Sequence, residues 1–114
     1  MDSILTANIE LFERRAGIIK AMANATRLLI VDTLSVSDRT VGELTDIVNL
    51  DISTVSRHLL VLRNAGIVSC RRDGNSIIYH LRTPCVLNFM SCVEKVIAHE
   101  REEPDNGSHC DSCG

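Results

Sequence analysis

Four cysteines stand where thiol chemistry could be done. Cys85 and Cys92 lie seven positions apart in the apolar run TPCVLNFMSC, and Cys110 and Cys113 lie three apart in CDSCG. On an α-helix, seven residues turn through about 700°, so Cys85 and Cys92 share nearly one face, roughly 10.5 Å apart along the axis. Thiolates that share an ion at metal–sulfur distances of about 2.3 Å must lie within roughly 4 Å of each other. One helix therefore cannot chelate a single ion with this pair. Two antiparallel copies across a dimer axis could, with Cys85 of one chain opposite Cys92 of the other. The stretch from Arg101 to Cys110, at about 3.3 Å per residue, is also long enough to bring Cys110 or Cys113 onto either thiol. Sulfur ligands select soft ions: three around a pyramidal centre suit As(III) or Sb(III), and four suit Cd²⁺, Pb²⁺ or Zn²⁺.

Free cysteine also packs like a small hydrophobe, and Cys85, Phe89, Cys92 and Val96 form one helical stripe. The pair Cys110 and Cys113 has no such packing use and favours a ligand role for the set. Cys70, inside a β-rich run, is expected to be structural. The count of five cysteines is odd, which argues against a closed disulfide framework.

The elements that must hold these thiols follow from periodicity. Ile4, Leu5, Ile9, Leu11, Phe12, Ile18, Ile19 and Met22 recur at helical intervals and predict one or two helices. Asn24 caps ATRLLIVDTL, in which Leu28, Leu29, Val31 and Leu34 form the expected buried side. SVSDR (35–39) reads as a turn. Thr40 caps VGELTDIVNL with Glu43 three residues on, a capping box. Ser53 is the expected cap of TVSRHLLVLRNA, whose apolar side is Val55, Leu59 and Leu62 and which Gly66 ends in a left-handed conformation. Thr54, Ser56, Arg57 and His58 crowd the polar side of its first turn.

Two short helices joined by a tight turn, the second polar at its amino end, form a helix-turn-helix pattern. Short polar side chains there can reach base edges and phosphates. IVSCRR and SIIYHL then flank DGN as a hairpin, with Arg71, Arg72 and Asn75 at or beside its tip, placed as a wing along the phosphate backbone or minor groove of DNA. Thr83 and Pro84 restart a helix, as cap and first residue, which puts Cys85 in its first turn. That helix carries Val86, Leu87, Phe89, Met90, Val93, Val96 and Ile97, too broad an apolar stripe for one small domain to bury. With the first helices it is expected to form a dimer interface. Residues 1–103 thus read as one DNA-binding and dimerisation domain, and residues 104–114 as a flexible tail.

Charge is segregated along the chain. The net charge is −3, yet from Ser53 to Arg82 five arginines face a single acid, Asp73, and from Glu94 onward six acids face Lys95 and Arg101. A basic middle inside an acidic chain is the footprint of a DNA-reading element. No stretch approaches the ~20 apolar residues of a membrane span. Asp2 and Glu10 sit where a secretory leader would be basic and then apolar, so the expected location is cytoplasmic, with thiols reduced. The histidines and acids form no nucleophile–base constellation, which argues against an enzyme, and a metal-storage role would leave the helix-turn-helix and wing unexplained.

Residues 18–82 resemble the ArsR/SmtB family of small winged-helix repressors, through ANATRLLIVDTL, VGELTDIVNLDISTVSRHLLVLRNAGIV and RRDGNSIIYHL. The resemblance implies a mainly α winged helix-turn-helix of order α-α-α-α-β-β-α. It also implies a homodimer that binds double-stranded operator DNA and releases it when a metal or other soft effector is sensed, with no organic cofactor. It assigns Ser53, Thr54, Ser56, Arg57 and His58 to base and backbone contacts, and Arg71, Arg72 and Asn75 to the wing. A cysteine-pair site common in the family falls at Thr40-Val41-Gly42-Glu43-Leu44, which has no thiol. A zinc-type site is matched only by its second half, His99 and Glu102, because the first-half positions hold Val86 and Asn88. The thiol pair of a persulfide sensor lacks its member in ATRLLIVDTL. What remains is Cys85, Cys92, Cys110 and Cys113, with As(III) or Sb(III) favoured and Cd, Pb or Zn next. A thiol-redox or persulfide-responsive repressor on the same scaffold is the alternative.

Overall fold

The computed structural model describes residues 2–102, with the side chains of residues 8–100, and divides into two compact units that meet between Thr83 and Pro84. The first unit contains α1 (Asp2–Met22), α2 (Ala25–Val36), β1 (Arg39–Thr40), α3 (Val41–Val48), α4 (Ile52–Asn64), β2 (Val68–Asp73) and β3 (Ser76–Leu81). The second contains α5 (Val86–Glu102). This is a winged helix-turn-helix.

The order differs from the expected one by a short strand. SVSDR is not wholly a turn: Arg39 pairs with Tyr79 and Thr40 with Ile78, giving an antiparallel sheet of order β1-β3-β2. Two residues carry no readable period, so only the partner strand reveals them. Between β2 and β3 the register runs from Val68 opposite Leu81 to Asp73 opposite Ser76, leaving Gly74 and Asn75 as the loop. Gly74 has φ +65° and Asn75 has no positive φ, the φ signature of a type II′ turn with glycine at its first central position.

The core of the first unit is Ile30, Val31 and Leu34 of α2, Leu44 of α3, Val55, Leu59 and Leu62 of α4, and Ile67, Val68 and Leu81 beside and within the hairpin. The α4 stripe is the expected one. In α2, Val31 and Leu34 are buried as expected, but Ile30 joins them while Leu29 is 42% exposed and Leu28 half-buried. Four consecutive apolar residues, Leu28 to Val31, fit two helical faces equally, and packing chose between them.

The helix ends explain the connections. Asn24 Oδ1 accepts from the Arg27 amide at 3.1 Å, and the Thr40–Glu43 capping box is complete, with bonds of 3.1 and 2.9 Å. Beyond α4, the Gly66 amide bonds to the Arg63 carbonyl and the Ile67 amide to the Leu62 carbonyl, with Gly66 at φ +82°. That is a Schellman ending, and buried Leu62 and Ile67 supply its apolar pair. Two expected caps are corrected. Asp51, not Ser53, caps α4, because its carboxylate accepts from the Thr54 amide three residues on, while Ser53 already has helical backbone. Thr83 caps nothing: its Oγ1 is buried without a partner among the described residues, and α5 begins at Val86 after a turn closed by Leu87 N–H to Pro84 O. Cys85 therefore precedes the helix instead of lying in its first turn. The tail with Cys110 and Cys113 lies outside the described residues.

Candidate nucleic-acid interface

Asn49 closes α3 in the left-handed region (φ 59°, ψ 44°), its N–H on the Thr45 carbonyl, and with Leu50 and Asp51 makes the three-residue turn into α4. Asparagine tolerates this conformation better than most residues. Asp51 then organises the amino end of α4. Its carboxylate accepts from the Thr54 amide at 3.2 Å, from Thr54 Oγ1 at 2.7 Å and from Ser53 Oγ. Those bonds, the Ser53 hydroxyl's first, hold the Asp51 carboxyl well below the usual range, so it stays ionised. Both hydroxyl protons are thereby committed inward. Toward a ligand, Ser53 and Thr54 offer oxygen lone pairs. Ser56 and Arg57 are exposed, and an Arg57 Nη lies 3.5 Å from Thr54 Oγ1.

His58 is arranged differently from its neighbours. It is half-buried, and its Nδ1 lies 3.2 Å from an Arg27 Nη. A guanidinium can only donate, so Nδ1 accepts, the ring is neutral, and only Nε2–H remains for another partner. Burial first, then the charges of Arg27 and Arg57, pushes its pKa down from 6.5. His58 thus ties α4 to α2, a role carried by Arg27, which sequence spacing did not single out. Because the folded group is the harder one to protonate, its contribution is whole above pH 6.5 and is lost as pH falls from there through the lower folded value. We expect urea unfolding to show a loss of stability as pH falls below 6.5, and His58→Gln to shrink that loss. An equal loss in both proteins would place the pH dependence elsewhere.

On the wing, Arg71 and Arg72 are exposed on successive positions of β2, opposite Ile78 and Ile77, so they point to opposite faces. Asn75 is exposed at the tip. Arg71 is not free: its Nη1 lies 3.3 Å from Asp38 Oδ2, and His80 Nδ1 lies 2.8 Å from Asp38 Oδ1. Hydrogen bonding from His80 above all, and then from Arg71, lowers the Asp38 pKa. Asp38 precedes β1 and was invisible as a wing residue, since it comes 33 positions before Arg71. Among the described residues no carboxylate forms an ion pair with Arg72.

The thiols divide as follows. Cys70 is half-buried opposite Tyr79, whose phenol is pushed up first by burial and then by Cys70. Cys85 and Cys92 are free and exposed. Among the described residues no three histidine, cysteine or acidic side chains lie close enough together to hold a metal ion. The thiolate donors suit a soft ion in chemistry, but the set of one chain does not close without Cys110, Cys113 or a second copy.

The helix-turn-helix is shared with known proteins. Residues 24–69 match the family model described as bacterial regulatory protein, arsR family. Over 89 residues the chain is 39% identical to the HTH-type transcriptional regulator Rv0081 of Mycobacterium tuberculosis, spanning 77% of this chain and 78% of that one. The chain belongs to the arsR family. It is accordingly a transcriptional regulator with a DNA-binding helix-turn-helix, and not an enzyme. Its fold matches other arsR-type structures closely. The crystal structure of NolR from Sinorhizobium fredii superposes with a TM-score of 0.73 at 37% identity, covering 79% of this chain and 90% of that one. The homodimeric winged helix-turn-helix domain of Mb0332 from Mycobacterium bovis superposes with a TM-score of 0.72 at 27% identity, covering 87% and 92%. Among the described residues no helix is long and apolar enough to cross a membrane.

Proposed function

We propose that the protein is a homodimeric repressor that holds operator DNA through α4 and the wing and releases it when a thiophilic ion binds Cys85, just before α5, Cys92 within it, and cysteines of the tail. The observation that carries the effector reading is the pair Cys85 and Cys92, both free and exposed at an apolar helix, in a chain with no thiol between Thr40 and Leu44. Three sulfurs favour As(III) or Sb(III), and four favour Cd²⁺, Pb²⁺ or Zn²⁺. Cys110 or Cys113, or the second copy, supplies the donors beyond two. The dimer is supported by apolar side chains that the single chain leaves in water: Ile9, Phe12, Ile18 and Ile19 on α1, and Phe89, Val93, Val96 and Ile97 on α5. The Mb0332 domain is described as homodimeric. Ser53, Thr54, Ser56 and Arg57 are the proposed contacts of the recognition helix, with Arg72 and Asn75, and Arg71 once it leaves Asp38, on the wing. His58 contributes at most its Nε2–H.

The test is a DNA-release titration of the reduced protein on its own upstream promoter, with As(III), Sb(III), Cd²⁺, Pb²⁺, Zn²⁺ and polysulfide. We expect release by one soft ion, and Cys85→Ser or Cys92→Ser proteins that bind DNA as the wild type does but no longer let go. Release by polysulfide alone would make this a thiol-redox regulator. Loss of DNA binding in the serine variants would sink the separate sensing site.

A further inference from the structure

We propose that Ile52 reads the 5-methyl group of a thymine in each operator half-site, making an A·T pair the preferred partner of the first turn of α4. This rests on the DNA-reading role of α4. By spacing, Ile52 continues the stripe of Val55, Leu59 and Leu62. Those three are fully buried, whereas Ile52 is 56% exposed, because the end of the helix projects past the core. Beside it Leu50, in the turn, is 40% exposed. Folding therefore makes little use of this isoleucine, and water is a poor neighbour for it.

The polar groups next to it complete the pattern. Asp51 takes the hydroxyl protons of Ser53 and Thr54, so the turn presents a branched apolar side chain flanked by hydrogen-bond acceptors. On the major-groove edge an A·T pair offers the matching set, the thymine methyl and the adenine N6 amino donor. A G·C pair also offers one amino donor there, cytosine N4, so the acceptors suit either pair and the thymine methyl is what separates them. The exposed Ile52 side chain thus favours A·T over G·C at the base pair beneath the helix tip.

The methyl can be removed without touching anything else. Binding of the wild-type protein to its promoter operator would be measured by fluorescence anisotropy at one fixed salt concentration, with each thymine replaced in turn by deoxyuridine. We expect one thymine per half-site at which uracil weakens binding by about 4-fold, the worth of one buried methyl. The same replacement should leave the affinity of Ile52→Ala unchanged. Because Ile52 is exposed, this variant should keep the wild-type circular dichroism spectrum and melting temperature. Indifference of the wild type to uracil at every thymine would overturn the assignment, as would an Ile52→Ala protein with undiminished sensitivity. A wild type that prefers its promoter no more than scrambled DNA would instead overturn the DNA-reading role itself.

Discussion

Leu59→Ala should lower the unfolding free energy by about 2–5 kcal/mol, the range for deleting a buried leucine side chain. Leu59 is fully buried midway along α4, between Val55 and Leu62 on the same stripe. The helix packs against α1, α2, α3 and β2, so several elements would have to shift to refill the cavity. A domain of this size has only about 5–15 kcal/mol to lose, which makes this single change a large share of the whole. The same helix carries the proposed DNA contacts, so loss of the core and loss of operator binding should go together. Leu60→Ala is the control: at 52% exposure the neighbouring leucine should cost no more than about 0.5 kcal/mol. Urea unfolding followed by circular dichroism separates the two. Near-equal effects would mean that α4 does not bury the face described above.

Phe12→Asp should break the proposed dimer and with it tight operator binding. Phe12 is 59% exposed in the single chain, with Arg15 Cζ 5.0 Å from its ring centroid, and of the described α1 side chains only Ala21 and Met22 are buried. A helix with Ile9, Phe12, Ile18 and Ile19 left in water is covered by a partner in the proposed assembly, and an aspartate there would carry an uncompensated charge into the interface. Linking two binding modules raises overall affinity by about 10²–10⁴, so the monomer should lose operator affinity by at least about 100-fold. Sedimentation velocity and anisotropy on the same samples test both halves. A variant that stays dimeric removes the α1 face from the interface. A monomer that binds DNA as tightly as wild type removes the dimer from operator recognition.

Much of the interface was legible because it is local. The Asn24 cap, the Thr40–Glu43 box, the Val55–Leu59–Leu62 stripe, the Gly66 ending and the hairpin around Gly74 all follow from residues within about two helical turns or one β-turn of each other. Choices between near-equal local options were not legible. Asp51 and Ser53 are both good caps, and Leu29 and Ile30 are both good core residues. At these positions the packing of α4 and α2 selected the outcome.

What the sequence by itself determined is the helix-turn-helix with its wing, the basic segment between Ser53 and Arg82, and the thiols on which the proposed sensing rests. The tertiary structure alone decided which of those groups are engaged. It joined Arg27 to His58 across 31 positions, Arg71 to Asp38 across 33 and His80 to Asp38 across 42, and it added β1 beside β3. The physical reason is that helical and turn signals are short-range regularities of one chain segment, written in spacing. Which cation meets which carboxylate depends on how separate segments pack, and no spacing rule carries that information.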